Sequence, residues 1–364
     1  MNKLTSNKGV SIICEIASAH GGDVGILKKM LSEADLVGAD WIKVQVYNFE
    51  SLVAEENEKF SELKIIELKP HEWIDVIRFA EKLKTKLIVE AFDLASLHLV
   101  SKEPAVKAFK IPTADLGDRD FIDAVCKLGK PIYIGVGGAS IDEIDEVYEQ
   151  ISTYKGLELV MLHGIQNFPT QLKDSLLSKI RLFKLRYECE VGFADHIDAD
   201  DTELARVLPA MAIAAGASVI EKHFTLNRSK KGFDYYSALN PNEFSDFVLF
   251  ARDVNLAIGF NSLELTDAEL IYRNKMKKFA VLEHDVEKGS SVTSAIVQYR
   301  RTSSSGITRK DLKKFDKKVF SSEKIGSHHM WRDWKSSRTC MFSNALGERL
   351  IAANLSGLVY RTYE

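Results

Sequence analysis

Eight short runs rich in β-branched and other apolar residues alternate with amphipathic stretches between residue 10 and about residue 259, and this alternation most constrains the fold. The runs are 10–18, 41–46, 86–92, 108–113, 131–136, 158–164, 191–196 and 218–225. Stretches such as 26–37, 71–83, 141–151 and 201–215 place apolar residues at helical spacing. Eight such units in about 250 residues predict a (β/α)8 TIM barrel. A doubly wound sheet is less favoured, because no glycine-rich dinucleotide motif follows the first run.

The pattern breaks after the eighth unit, which predicts a second, smaller domain. We assign residues 1–260 to the barrel, 261–277 to a linker and 278–364 to a β-rich C-terminal domain with an atypical tail. Within the linker, residues 261–273 are either irregular or a short helix. The second domain should contain strands near 279–283 and 295–301, with a turn at 287–289. The long segment 48–70 after the second strand is either a substrate-covering loop or a plain surface insertion.

Composition excludes several classes of function. The net charge of −3 gives no basic field for nucleic acid or anionic lipid. No apolar run approaches the ~18 residues needed to span a bilayer, and the first residues contain no hydrophobic signal core. The four cysteines lack metal-like or redox-like spacing. We therefore expect a cytoplasmic protein that does not bind membranes.

Two strand-end histidines are the main candidates for a functional site. His196 ends the apolar run VGFADH and His223 ends the run VIEKH, with one helix between the two runs. Neighbouring strands of a barrel end at the same rim, so the two imidazoles can bind one divalent cation. A single strand-end histidine is more often structural than a metal ligand. The metal site is therefore predicted from the pair and not from either histidine alone.

Charged residues also fall within or at the ends of these predicted strands. Glu15, Lys43, Glu90 and Lys110 interrupt apolar strands, where a charge is expensive to bury unless it is paired or ligated. The remaining rim candidates from the same reasoning are Gln45, Asp115, His163, Gln166, Asp195 and Lys222. A single lysine or glutamate at a strand end is usually a surface or ion-pair residue. Several on one rim, with a metal as Lewis acid toward a carbonyl, instead predict a catalytic site for an anionic substrate.

Eight segments in family order resemble the sialic acid synthase family. They are CEIASAHGGD (14–23), GADWIKVQ (38–45), FKIPTAD (109–115), GKPIYI (129–134), LHGIQNFPT (162–170), VGFADH (191–196), VIEKHFTLNR (219–228) and FDYYSALNPNEF (233–244). The resemblance implies a barrel followed by an antifreeze-like (SAF-type) domain. It also implies condensation of phosphoenolpyruvate with an N-acylated hexosamine or related aldose, giving a 2-keto-3-deoxy sugar acid. The family's domain-exchanged homodimer is the expected assembly.

The resemblance also assigns roles to individual residues. His196 and His223 match the ligands of a divalent metal, usually Mn²⁺, with Mg²⁺ as an alternative, and Glu15 matches the acid that works with metal-bound water. Lys43 and Lys110 match lysines that hold phosphoenolpyruvate. The positions that match contacts to the acceptor sugar are Gln45, Asp115 and Asp234. One or both of Arg300 and Arg301 match the arginine that reaches the neighbouring subunit's site.

The chain departs from the family where a phosphate would bind. The family's hydroxyl-bearing positions are here occupied by Glu90, Thr113, Gly135 and Ala194. The strand-six pattern of the family has become residues 164–169, which contain Gln166 and Phe168. Like charges ~4 Å apart repel by about 4 kcal/mol at a surface-like dielectric, so Glu90 opposes a phosphate. Either Glu90 pairs with a lysine or the metal, or the donor is not phosphoenolpyruvate.

These observations favour an enzyme, specifically a metal-dependent transferase that forms carbon–carbon bonds during the biosynthesis of surface glycans. One alternative keeps the barrel and metal but acts as a lyase, aldolase or isomerase on a non-phosphorylated sugar acid. Another is a non-catalytic sugar-binding descendant, which the retention of both histidines and both lysines disfavours. Asp115 in place of glutamate and Phe168 in place of tyrosine favour an acceptor other than N-acetylmannosamine.

Overall fold

The computed structural model describes residues 9–167, 169–259, 262–284, 286–287, 297–302, 306–312 and 324–325. The chain divides into two compact units, Met1–Asn261 and Ser262–Glu364. The first contains the described barrel, and each unit is considered separately below.

Eight parallel strands close into a barrel in the order of the chain, with the eighth pairing to the first. They are β1 (Ser11–Glu15), β2 (Trp41–Val46), β3 (Lys86–Ala91), β4 (Val106–Ile111), β5 (Ile132–Gly135), β6 (Leu159–His163), β7 (Glu190–Asp195) and β8 (Val219–His223). The predicted (β/α)8 barrel is confirmed, and each strand ends within a few residues of the predicted bounds.

Helices cover the outside of the barrel between successive strands. They are α1 (Val24–Leu36), α2 (Phe49–Leu52), α3 (Phe60–Ile66), α4 (Pro70–Ala80), α5 (Leu94–Val100), α6 (Arg119–Cys126), α7 (Ile141–Ser152), α8 (Ser178–Arg186), α9 (Leu204–Ala214) and α10 (Pro241–Ile258). Short 3₁₀ turns occur at Thr113–Asp115, Leu172–Asp174, Arg228–Lys230 and Tyr235–Ser237. Local sequence sets these boundaries: α7, for example, begins at a capping box in which Ser140 and Glu143 satisfy each other's backbone N–H groups.

Side-chain alternation along each strand separates two apolar layers. The layer inside the barrel contains Ile13, Ile88, Ala108, Tyr133, Val160, Leu162, Ala194 and Val219. The larger layer lies between the strands and the surrounding helices, as Cys14, Val44 and Met161 illustrate. A residue two positions beyond a member of the inner layer also points inward, toward the C-terminal mouth of the barrel. Glu15, Glu90 and Lys110 each lie two positions beyond an inner-layer residue, so their side chains point toward the interior.

The segment after β2, predicted as a covering loop or an insertion, contains the short helices α2 and α3. It approaches the loop after β1 so closely that a Cβ on Gly22 would lie 3.0 Å from the carbonyl oxygen of Ile65. Its role as a cover stays a prediction. Among the described helices of both units, none has the length and apolar character required to span a bilayer.

The second unit contains α11 (Asp267–Met276), β9 (Lys278–Leu282), β10 (Val286–Glu287), β11 (Val297–Arg301), α12 (Arg309–Leu312) and β12 (Lys324–Ile325). Strands β9 and β11 pair antiparallel, as do β10 and β12. Of the two alternatives predicted for the linker, the helix is the one present, as α11. The SAF-type fold stays a prediction, since most of the predicted turn and the tail beyond residue 325 lie outside the described residues.

Glycines allow the backbone at three neighbouring strand ends to approach closely at the mouth of the barrel. A Cβ on Gly137 would lie 1.6 Å from the carbonyl oxygen of Gly164, and a Cβ on Gly164 would lie 2.1 Å from that of Ala194. Gly164 also adopts a φ of 146°, which L side chains rarely adopt. The backbone just after β5, just after β6 and near the end of β7 therefore packs at a spacing that only glycine permits.

We predict that Gly137→Ala lowers the free energy of unfolding by at least ~2 kcal/mol, because the new methyl group meets backbone that cannot move aside. Gly117→Ala is the matched control, since no atom lies within 4 Å of its Cβ position. That control should change stability by less than ~0.5 kcal/mol. Urea denaturation of both variants measures the difference, and equal stability would contradict the close packing.

Candidate active site

The ammonium group of Lys43 lies among three carboxylates inside the barrel. Its Nζ is 2.8 Å from Glu15 Oε2 and 2.7 Å from Glu90 Oε2. Glu221 Oε1 accepts a hydrogen bond from the same nitrogen at 3.0 Å. The Lys43 side chain is 1% exposed and that of Glu15 is fully buried. Lys43 is therefore the centre of a dry ion cluster.

Lys110 is the second cation of this cluster. Its Nζ donates to Glu221 Oε1 at 2.9 Å and lies 3.6 Å from Glu90 Oε1. Gln45 Nε2 donates to Glu90 Oε2 at 3.2 Å. Glu90 and Glu221 thus each contact both lysines, so neither ammonium group lacks a carboxylate partner.

Strand register explains why distant residues meet here. Glu15 lies beside Lys43 on one side and beside His223 on the other. Glu90 lies beside Lys110 in the pairing of β3 with β4. Glu221 points inward from β8, two residues after Val219 of the inner layer.

The ion cluster, defined as Glu15, Lys43, Glu90, Lys110 and Glu221, carries more negative than positive charge. Two ammonium groups face three carboxylates, so the fully ionised cluster has a net charge of −1. Glu15 Oε1 and Glu221 Oε2 are buried and accept no hydrogen bond among the described residues, and Glu15 Oε2 has its ion pair with Lys43. The cluster therefore has acceptor capacity left for a cation or a proton donor.

Burial and mutual attraction set the protonation of this cluster. Burial opposes the ionisation of Glu90 and Glu221, but Lys110 and Lys43 outweigh it and lower the pKa of both carboxyls. Burial also opposes the charge on Lys110, yet Glu221 and Glu90 raise its pKa. For Lys43 burial prevails and lowers the pKa, so this lysine releases its proton more readily than Lys110.

The two predicted metal ligands lie next to this cluster. The ring centroids of His196 and His223 are 5.1 Å apart, and both side chains are buried. Burial lowers the pKa of His196 to about 4 and that of His223 well below its ordinary value. Both imidazoles are therefore neutral near pH 7, which is the form that binds a metal.

The chemistry of these described residues fits a divalent cation. Two neutral imidazoles at one rim supply nitrogen ligands, and the neighbouring cluster has a surplus negative charge. No group of three or more histidine, cysteine or acidic side chains within the described ranges is arranged to hold an ion. The protein itself would thus supply two ligands, leaving other coordination positions to water or substrate.

The residues matched to the acceptor sugar lie around the same mouth. Asp234 has a left-handed backbone, and its Oδ2 accepts a long 3.4 Å hydrogen bond from the Ser18 N–H. Burial raises the pKa of Asp234, and it raises that of Asp115 to about 6 with help from Asp118 and Glu90. Both carboxyls are therefore more easily protonated than surface aspartates.

Thr113 lies against β5 beside Gly135, which is one of the positions where the chain departs from the family. A Cβ on Gly135 would be only 2.8 Å from Thr113 Oγ1. The threonine hydroxyl thus occupies the space that a side chain at position 135 would require. A side chain at position 135 would clash with Thr113, so the glycine at 135 leaves room for the threonine at 113.

Four further predicted site residues lie in the loop after β6 and on a strand of the second unit. Gln166 is exposed in the loop after β6, and Phe168 lies outside the described residues. Arg300 and Arg301 are exposed on β11 of the second unit. Their proposed role in a neighbouring site stays a prediction.

Three rim candidates were wrong, because they lie on the helix-facing side of the barrel. Lys222 and Asp195 form a fully buried ion pair of 2.6 Å there. The Nε2 atom of His163 lies 3.0 Å from the carbonyl oxygen of Ser175, and its ring packs near Phe183. Consecutive strand residues face opposite sides, so Lys222 and His223 cannot both point into the barrel.

Glu221 is the functional candidate that sequence reasoning missed. Alternation from Val219 to His223 would have turned it inward together with His223. The adjacent Lys222 obscured this alternation. Glu221, Lys222 and His223 form a continuous polar run, and such a run is typical of the point where a strand ends.

A model of the NeuB family matches residues 30–262. An uncharacterized protein of Methanocaldococcus jannaschii is 30% identical over 290 residues, which cover 80% of this chain and 84% of that protein. The N,N'-diacetyllegionaminic acid synthase of Campylobacter jejuni is 28% identical over 300 residues, covering 78% of this chain and 87% of the enzyme.

The crystal structure of N-acetylneuraminic acid synthetase from Leptospira borgpetersenii superposes with a TM-score of 0.69 at 28% identity. It covers 76% of this chain and 95% of that protein. The predicted resemblance and the prediction of a carbon–carbon bond-forming enzyme are confirmed by these synthase relatives. The chain is a divergent member of the NeuB family, to which the sialic acid synthases belong.

Proposed function

We propose that this enzyme condenses a three-carbon donor with an aldose to form a 2-keto-3-deoxy sugar acid of the sialic acid type, for surface glycan biosynthesis. The observation that carries the proposal is the pair of neutral, buried imidazoles beside the ion cluster. Membership of the NeuB family supports the same reaction class. The synthase relatives favour an N-acylated hexosamine as the acceptor, and the family resemblance implies phosphoenolpyruvate as the donor.

In the proposal, His196 and His223 hold a divalent cation, Mn²⁺ by family resemblance. When bound, the cation acts as a Lewis acid toward the acceptor's carbonyl. Glu15 exchanges a proton at the reacting centre, because its buried carboxylate lies beside His223 in the pairing of β1 with β8. Lys43 and Lys110 orient the anionic group of the donor.

The acceptor contacts are proposed for Gln45, Asp115 and Asp234, with Thr113 beside them. The raised pKa of Asp115, to about 6, lets its carboxyl donate a hydrogen bond to a sugar hydroxyl in mildly acidic solution. Gln166 and Phe168, in the loop after β6, are proposed as further contacts on the basis of their sequence positions alone.

We predict that the purified enzyme, given Mn²⁺, forms a 2-keto-3-deoxy acid from at least one pair of donor and aldose. The panel combines phosphoenolpyruvate and pyruvate with N-acetylated hexosamines and unsubstituted aldoses, and product is detected by mass spectrometry. Chelation should abolish product formation and added Mn²⁺ should restore it. Glu15→Gln should reduce the rate at least ~100-fold, since general acid–base catalysis contributes that much.

Glu188→Gln is the control, because this exposed carboxylate lies on the outer surface after α8 and should leave the rate unchanged. Absence of product from every pair would contradict the proposed function. A rate that survives chelation would contradict the role of the metal.

We also propose a domain-exchanged homodimer in which an arginine from the second unit completes the partner's site. The support is the family resemblance together with the position of Arg300 and Arg301 on one strand. Consecutive residues of β11 face opposite sides, so only one of the two arginines can face a given site. Arg300 Nε donates to Gln298 Oε1 at 2.9 Å on its own face.

We predict that co-expression of two inactive variants, Glu15→Gln and the double variant Arg300→Ala/Arg301→Ala, restores activity. A mixed dimer contains one intact site, so roughly a quarter of wild-type activity should return if subunits associate at random. Each variant expressed alone is the control. An active arginine double variant, or an inactive mixture in which mixed dimers are demonstrated, would contradict the arrangement.

A further inference from the structure

A buried ion pair on the helix-facing side of the barrel adjoins the two candidate metal ligands in the chain. We infer that Asp195 and Lys222, which form this pair, are positioning residues: they set the spacing and orientation of His196 and His223 and thereby raise the affinity of the site for a divalent cation. The inference rests on the metal site of the proposed function and adds two residues that act through the ligands.

The pair joins β7 and β8 at the last residue before each histidine. Asp195 and Lys222 are partners in the pairing of the two strands, and His196 and His223 follow them directly in the chain. Strand β7 ends at Asp195, so His196 lies one residue beyond its strand. Lys222 Nζ is 2.6 Å from Asp195 Oδ2, and both side chains are fully buried. The ion pair therefore connects the two strands at the point where the histidines emerge.

The carboxylate of Asp195 also holds the backbone that follows His196. Its Oδ1 accepts a buried hydrogen bond from the Ile197 N–H at 3.0 Å, while its Oδ2 contacts Lys222. Both residues that flank His196 are thus connected, through one carboxylate, to the residue that precedes His223. Because the direction of a side chain follows from the backbone that bears it, these contacts restrain both imidazoles.

Stability alone is a poor explanation for an ion pair at this place. Alternation along the strands puts Phe193, Ile220 and Phe224 on the same side, in the apolar layer between the strands and the helices. Removal of two charges from water there costs about as much as their attraction returns, and apolar residues of similar volume often serve equally well. What an ion pair adds is direction, because its contacts hold the partners in one arrangement. The neighbouring histidines are the groups that need such an arrangement.

The affinity of this site for a metal depends strongly on placement. The ring centroids of His196 and His223 are 5.1 Å apart, and no third histidine, cysteine or acidic side chain of the described ranges forms a ligand group with them. Ligands must be held within roughly 0.5 Å of the required geometry. Outer partners that orient metal ligands typically contribute roughly 10–100-fold in affinity. A loss of the ion pair should therefore weaken metal binding even in a folded barrel.

The experiment measures Mn²⁺ binding by calorimetry, without substrates, in wild type, Asp195→Asn and the double variant Asp195→Asn/Lys222→Met. Each protein is checked for a cooperative melting transition. Asparagine has one acceptor oxygen where aspartate has two, so Asp195→Asn must lose its contact with either Ile197 or Lys222. The double variant lacks the ion pair and leaves neither charge buried alone. We predict Mn²⁺ binding at least ~3-fold weaker in Asp195→Asn and at least ~10-fold weaker in the double variant.

Bound Co²⁺ supplies a second readout, since its visible d–d absorption reports the arrangement of its ligands. At saturating Co²⁺ the absorption of both variants should differ from that of wild type. A pair that only supported folding would lower the melting temperature and leave the affinity and the spectrum unchanged. Lys28→Met is the matched control, because it removes an ion pair with Asp75 of the same 2.6 Å length on the outer helices α1 and α4. It should change neither metal readout.

Weaker Mn²⁺ binding together with an altered Co²⁺ spectrum would support the inference. Wild-type affinity and an unchanged spectrum in the double variant would overturn it and leave the metal site of the proposed function intact. If the double variant does not fold, the same comparison with the nearly isosteric Asp195→Asn decides, and wild-type values there would also overturn the inference. Absence of Mn²⁺ binding by wild type would contradict the metal's role in the proposed function, and the inference would fall with it.

Discussion

The contact between the Lys43 ammonium and three carboxylates is the interaction on which the rest of the site depends. Each of these charges would be costly to bury alone, and together they are tolerable because each lies within ion-pair distance of an opposite charge. The closed barrel brings them together from strands far apart in the chain. Loss of the central cation would leave Glu15 without an ion-pair partner among the described residues and remove one of the two lysine partners of Glu90 and Glu221.

The same cluster connects the fold to the chemistry. Its surplus negative charge lies beside His196 and His223, whose burial keeps them neutral. In the proposed function, this surplus charge helps to hold a divalent cation, and the cation offsets the negative charge of the donor. The departures from the family, above all Glu90, leave the histidine pair and the two lysines in place.

Much of the barrel could be predicted from sequence, because buried parallel strands require apolar runs and the covering helices require apolar stripes. Strand β2 and helix α7 were predicted to within one residue at each end. The candidate site was harder to predict where polar residues are consecutive in the sequence. At the end of β8, only alternation decides that Glu221 and His223 face inward while Lys222 pairs with Asp195 outside. Which of Arg300 and Arg301 matches the family's arginine could not be predicted, because the two are consecutive on one strand and the local pattern does not distinguish them.

The most direct test of the buried cluster is the free energy of unfolding of Lys43→Met compared with Glu90→Gln, measured by urea denaturation. Removal of Lys43 leaves a cluster with one cation and three anions and should cost ~3–5 kcal/mol, as expected for breaking a buried ion pair. Removal of the Glu90 charge makes the cluster neutral, and the amide can still accept a hydrogen bond from Lys43, so the cost should stay below about 1 kcal/mol. Equal losses in the two variants, or a loss below about 1 kcal/mol for Lys43→Met, would contradict a cluster that is centred on Lys43 and carries excess negative charge.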